Sequence, residues 1–218
     1  MHLLLLPLLL AAAPAATFPL PQRDVARIVS PAWADEASRD RAGEAEKVIK
    51  RVGIRPGQTV ADIGAGSGYY IMRVAPVVGP RGRVIAQDIM PSYLSTLRAR
   101  VRKAKLGNVQ FVLGSPADPR LPRASVDTAL LIHMYHEIAQ PYALLYKLRA
   151  SLKPGGRMAI VDLEREAKDH GMPKELLVCE VRAVGYDLVS MTDLKPGYLA
   201  IFKLGRPANP ASVKACRA

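Results

Sequence analysis

From Thr59 onward the apolar positions fall into short blocks separated by turn residues. The runs Thr59–Ile63, Arg83–Asp88, Val109–Leu113, Val126–Ile132 and Arg157–Leu163 predict strands. Those such as Val84-Ile85-Ala86 and Ala159-Ile160-Val161 are continuously apolar, as required when helices cover both faces of a sheet. Between the strands, Tyr69–Val78, Ser92–Ala104 and Pro141–Leu152 predict helices, the second with its apolar stripe at Leu94, Leu97 and Val101. Regular alternation with short turns predicts a doubly wound, mostly parallel α/β sheet with helices on both faces. The last third breaks the rhythm. Pro173–Val184 predicts a helix closed by Gly185, and the strands Tyr186–Met191 and Tyr198–Leu204 flank Pro196-Gly197, which predicts a C-terminal antiparallel hairpin.

Upstream, Asp35–Val52 predicts one helix with a partial stripe of Ala37, Ala45, Val48, Ile49 and Val52, ended by Gly53 and Pro56-Gly57. Arg23–Ser30 predicts a short helical turn broken at Ser30-Pro31. Leu3–Leu10 is apolar apart from Pro7 and runs into Ala11-Ala12-Ala13-Pro14-Ala15-Ala16. That run is too short for a membrane span. With its small-residue sites it resembles a signal peptide cleaved after Ala15 or Ala16, although only His2, and no Lys or Arg, precedes it. The expected organisation is a leader over 1–16, a linker and helical segment over 17–56, the main domain over 57–205, and a disordered Pro- and Ala-rich tail over 206–218. A cleaved leader predicts a periplasmic or exported protein, an uncleaved one a cytoplasmic protein.

The chemistry concentrates at strand ends. Asp62-Ile63-Gly64-Ala65-Gly66-Ser67-Gly68 joins the first strand to the first helix of the alternating units. Glycines there admit positive φ and let backbone amides approach a ligand, and the helix opening behind them directs unpaired N–H groups to the same place. A dinucleotide fingerprint is G-x-G-x-x-G; here the third glycine comes one residue early and an acid precedes the first by two. The pattern acid-x-G-x-G-x-G resembles the first motif of the class I methyltransferases that use S-adenosylmethionine. The family resemblance extends further along the chain. Asp88 ends the second strand where an acid binds both ribose hydroxyls, and Ile89 follows where an apolar side chain covers adenine. Phe111-Val112-Leu113-Gly114-Ser115-Pro116-Ala117-Asp118 stands where the family reads G-D-A-x-D, with Ser115 in place of the first acid. Asp118 or a backbone carbonyl could supply that contact, or Asp118 could cap the following turn. Leu152-Lys153-Pro154-Gly155-Gly156 is the family's landmark before the fifth strand. Ile132-His133-Met134-Tyr135-His136-Glu137 ends the fourth strand at the edge where ligands sit in such sheets.

The resemblance implies a Rossmann-like, seven-stranded fold and S-adenosyl-L-methionine as cofactor. It assigns cofactor contacts to Asp62, Gly64, Ala65, Gly66, Gly68, Asp88, Ile89, Ser115, Asp118 and His133. Tyr135 and His136 are the candidates to orient the acceptor and take its proton. The segment carrying Trp33 and Arg41 either closes over the cofactor or staples onto the core. The acceptor is expected to be a small molecule. A non-catalytic cofactor-binding module and an RNA methyltransferase are the alternatives. The net charge of +12 suggests the latter, but Arg98, Arg100, Arg102, Lys103 and Lys105 crowd one helix without interleaved aromatics to stack bases. The Asn-Pro-Pro-Tyr of DNA-adenine enzymes is absent. Cys179 and Cys216 have no metal-ligand spacing, and their pairing is not legible from sequence.

Overall fold

The computed structural model describes residues 17–29 and 36–217. Seven strands form one sheet: β1 (Thr59–Ile63), β2 (Arg83–Asp88), β3 (Val109–Leu113), β4 (Val126–Ile132), β5 (Leu152–Asp162), β6 (Tyr186–Asp193) and β7 (Tyr198–Leu204). Their order is β3-β2-β1-β4-β5-β7-β6. The pairs among β1 to β5 are parallel, while β7 is antiparallel to both β5 and β6. The helices are α1 (Glu36–Arg41), α2 (Glu44–Val52), α3 (Tyr69–Val78), α4 (Pro91–Lys103), α5 (Pro141–Ser151) and α6 (Lys174–Ala183). The chain builds outward through β2 and β3, then returns to place β4 on the other side of β1. A crevice therefore opens above the carboxyl ends of β1 and β4.

Each sheet face has its own core. On one face Val48 and Val52 of α2, Ile71 and Val74 of α3 and Leu97 and Val101 of α4 pack over Val60, Val84 and Leu130. On the other, Tyr142, Leu145 and Leu148 of α5 and Leu177 and Val181 of α6 pack over Ile63, Leu131 and Ile160. The side chains of β1 and β4 alternate between these cores, which is why their sequences have no polar side.

Three segments differ from the sequence expectation. The single helix expected over Asp35–Val52 is two, because Gly43 adopts a left-handed conformation (φ 63°) between α1 and α2. Residues 23–29 form no helical turn. Their backbone is bound by other elements: Ala26 N–H donates to the His136 carbonyl (3.1 Å) and Val29 N–H to Glu137 Oε1 (3.2 Å). Ser30, Pro31, Trp33, Asp35 and the expected leader lie outside the described residues. Residues 206–217, expected as a disordered tail, pack on the domain. Cys216 forms a disulfide with Cys179 of α6 across a sequence separation of 37, its N–H donates to Tyr142 Oη (2.7 Å), and Arg217 bridges to Gln22. Among the described residues no helix is long and apolar enough to cross a membrane.

The disulfide closes a long loop and so restricts the unfolded chain. Replacing it by Cys179→Ser/Cys216→Ser is expected to cost about 2–4 kcal/mol, measured as a lower urea midpoint. A reductant should produce the same loss in the unmodified protein.

Candidate active site

After β1 the chain turns through three glycines with positive φ: Gly64 (71°), Gly66 (52°) and Gly68 (83°). The turn is fastened to the end of β2. Ala65 N–H donates to the Gln87 carbonyl (2.9 Å), Gly64 N–H to Gln87 Oε1 (3.3 Å) and Gly66 N–H to Asp88 Oδ2 (2.9 Å). Asp88 Oδ1 accepts from Met90 N–H (2.9 Å). The carboxylate thus locks the turn and keeps further lone pairs for a ligand. A Cβ on Gly64 would stand 3.0 Å from Met134 Cε, and one on Gly68 would collide with Leu97 of α4. Gly68 therefore serves helix packing at the start of α3.

The crevice above these strand ends is a cavity. Of the sequence-assigned cofactor residues, Asp62, Gly64, Ala65, Gly66, Asp88, Ile89, Ser115 and His133 line it. Asp62 is buried at 4% exposure. Burial pushes its carboxyl up to about 7; Arg39 opposes the shift and the Asp88 charge adds to it. No side-chain hydrogen bond to Asp62 occurs among the described residues. A carboxyl in this state is paired incompletely, and a cation arriving in the cavity would complete it.

A second group of charges adjoins the cavity through Arg39. The Arg39 guanidinium lies 3.8 Å from the Tyr69 ring centroid and binds Glu44 (2.6 Å). Glu44 also accepts from Tyr70 Oη (3.0 Å) and contacts His133 Nε2 (3.3 Å). Burial would raise Glu44, but the hydrogen bonds from His133 and Arg39 prevail and bring it down to about 2. Arg73 covers Tyr69 at 3.7 Å, so that ring is clasped by two guanidinium groups. Burial, then the hydrogen bond to Asp40, pushes the Tyr69 phenol up to about 12. Arg100 of α4 binds Glu36 (2.5 and 2.8 Å) and donates to the Ser67 carbonyl (3.0 Å), tying α1 to the glycine turn. These contacts hold α1 and α2 against the site. Arg39 reaches the cavity, whereas Arg41 is exposed.

Four assigned residues do not reach the cavity. Gly68 is displaced by its packing role. Asp118 accepts from Arg120 N–H (2.8 Å) and Lys147 Nζ (3.0 Å), so it caps its turn. Tyr135 is fully buried and donates to Glu180 Oε2 (2.9 Å). His136 is buried at 1% exposure with Nδ1 bonded to Asp162 (2.9 and 3.0 Å). The reason is local geometry. The chain leaves β4 through His133 at φ 51° into a 3₁₀ turn over Tyr135–Glu137. That tight turn sends Tyr135 and His136 into the core and Glu137, with Met134, to the cavity.

Residues that the sequence did not single out also line the cavity: Arg39, Tyr69, Tyr70, Gln87, Tyr93 and Glu137. Burial raises the Glu137 carboxyl. Gln87 Nε2 is a buried donor without a partner among the described residues. Asp62 for an ammonium, Asp88 for a diol, the glycine turn for close backbone approach and the Gln87 donor together fit S-adenosylmethionine.

Residues 60–156 match the family described as a methyltransferase domain. A ubiquinone/menaquinone biosynthesis C-methyltransferase of Ectopseudomonas mendocina is 32% identical over 118 residues, 54% of this chain and 46% of that protein. An arsenite methyltransferase of Halobacterium salinarum is 34% identical over 115 residues, 51% of this chain and 29% of its own length. The matched segment is thus less than half of either relative. Among solved structures, a SAM dependent methyltransferase from Aquifex aeolicus superposes with a TM-score of 0.69 at 22% identity, over 78% of this chain and 98% of that one. The [4+2]-cyclase SpnF superposes at 0.66 with 15% identity, over 86% and 90% of the two chains. Matched domain, strand order and glycine turn agree: residues 60–156 match a methyltransferase domain, set in a chain with the fold of a SAM dependent methyltransferase.

Proposed function

We propose that this protein transfers a methyl group from S-adenosylmethionine to a small organic acceptor. The observation that carries the reading is Asp62. It is a buried carboxyl without a hydrogen-bond partner among the described residues, in a cavity wall shared with the glycine turn and Asp88. Asp62 would pair the ammonium of the methionine moiety and Asp88 the ribose hydroxyls. Ile89 and Ser115 would flank the adenine, with His133 near the methionine end. The cofactor brings a methyl group that its sulfonium already makes electrophilic. The protein's own part is then alignment and exclusion of water, which account for much of such a barrier. Ile28, Val29, Met134 and Ile138 supply the apolar wall, and Tyr93 and Glu137 offer polar atoms to an acceptor. Tyr135 and His136 support that wall from behind.

The acceptor chemistry named for the relatives bears unequally on this chain. Arsenite favours thiols, and both cysteines here are joined in the disulfide. An organic acceptor is the better match. A [4+2]-cyclase has the same fold, so the fold alone does not fix methyl transfer, and a cofactor-binding protein without it is the second reading. Turnover of methyl-labelled cofactor with any acceptor separates the two, and steeply salt-dependent RNA binding would revive the nucleic-acid reading. We also infer that the chain acts outside the cytosol. The Cys179–Cys216 disulfide supports this, because such bonds persist in oxidising compartments, and so does the apolar leader-like start of the sequence. N-terminal sequencing of the protein recovered from cell fractions tests the inference; an intact Met1 in the cytosolic fraction contradicts it.

S-adenosylhomocysteine should bind one-to-one by calorimetry, and a nicotinamide dinucleotide should not bind. Asp88→Ala removes charge-assisted bonds worth about 1.5–3 kcal/mol, so affinity should fall roughly ten- to a hundredfold. The pH dependence follows from Asp62, whose carboxyl sits near 7 in the ligand-free protein. Pairing with an ammonium requires the charged form, so binding below pH 7 must expel a proton. Affinity should drop about tenfold per pH unit below that point, with proton release seen as a buffer-dependent heat. Asp62→Asn should abolish the slope.

A further inference from the structure

The turn after β4 and the loop after β5 bring two imidazoles and a carboxylate together. Ring nitrogens of His136 and His170 and a carboxylate oxygen of Glu137 all lie within 4.8 Å of one another. The two rings meet edge to face with centroids 5.4 Å apart. His136 is oriented from behind. Its Nδ1 donates to Asp162, a fully buried carboxylate that can only accept, and Nε2 is left as the outward ligand atom. A carboxylate bonded to the far nitrogen is how proteins fix the ring and tautomer of a metal-ligating histidine. His170 Nδ1 is buried with no hydrogen-bond partner among the described residues. Glu137 gives Oε1 to Val29 N–H (3.2 Å) and keeps its second oxygen.

We propose that His136, Glu137 and His170 bind one divalent first-row transition cation, behind the cavity wall to which Glu137 contributes. Ligand atoms about 2.1 Å from a shared ion stand roughly 3–4 Å apart, so atoms that are no more than 4.8 Å apart need to close by about an ångström at most. Glu137 and His170 are only partly buried, and rotation of their side chains supplies that movement. Two imidazoles and one carboxylate suit zinc, iron, nickel or manganese better than magnesium or calcium, which prefer all-oxygen shells. The ion would join the loops after β4 and β5, with its remaining positions open to water. Methyl transfer is not assumed at any step.

The test uses the untagged full chain, stripped by a chelator and titrated with Co(II), then Zn(II), with Mg(II) as the contrast. The expected result is one equivalent of Co(II) with a visible d–d absorption band, displaced by Zn(II) and unaffected by Mg(II), together with a higher melting temperature. His170→Ala and Glu137→Gln, checked for native circular dichroism, should each weaken Co(II) at least about tenfold, the loss that follows removal of even a supporting group. His136→Ala is avoided because it would leave Asp162 buried and uncompensated. Failure to bind a stoichiometric ion, or unchanged affinity in folded His170→Ala, overturns the proposal.

Discussion

The carboxyl edge of the parallel sheet and the helix α6 beside it carry charges that are shut off from water, and each must be paired or neutralised. Asp88 is satisfied by two backbone N–H groups, from Gly66 and Met90. Asp162 is satisfied by His136 and by Leu163 N–H at 2.8 Å. Glu180 is satisfied by Arg23 at 3.1 Å and by Tyr135. Asp62 alone of these four lacks such partners, and its carboxyl rises accordingly. That inequality marks Asp62 as the acid still open to a cation, whereas Asp88 is already fixed by the backbone and keeps only spare lone pairs for a ligand.

The same accounting explains how distant segments come to the edge. Arg23 and Glu180 are almost fully buried, and the guanidinium also donates to the carbonyls of His136 (3.3 Å) and Tyr135 (3.4 Å). A buried ion pair adds little net stability, yet breaking it by removing one partner is costly, so it fixes where the N-terminal segment lies. Ile28 and Val29 are thereby set in the cavity wall. The disulfide holds the C-terminal segment on the same α6 that carries Glu180. Both ends of the described chain thus depend on one helix beside the site.

Local pattern was enough to read the sheet and its glycine turn, since buried parallel strands and a βα turn leave contiguous signatures. β1, β2, β3, β4 and β7 have the bounds that the apolar runs predict. The cavity wall formed by the glycine turn and the end of β2 was legible because its residues follow strand ends at short, regular offsets. The opposite wall was not, since it depends on a single turn. After β4 a 3₁₀ turn decides which of Tyr135, His136 and Glu137 faces the cavity, and no periodicity reports that choice. Arg39 was missed for another reason: its role arises from stacking on Tyr69 across a break at Gly43 that a continuous stripe concealed. The Cys179–Cys216 pair and His170 are long-range encounters of the tertiary fold.

In the proposed cofactor site Asp62 and Asp88 hold the two ends of one ligand. A crystal structure grown with S-adenosylhomocysteine tests this most directly. The expected density has the ammonium against Asp62, the ribose hydroxyls on Asp88 and the backbone of Gly64–Gly66 beneath the homocysteine. Ligand bound elsewhere on the molecule, or bound in this cavity with neither carboxylate in contact, would contradict it.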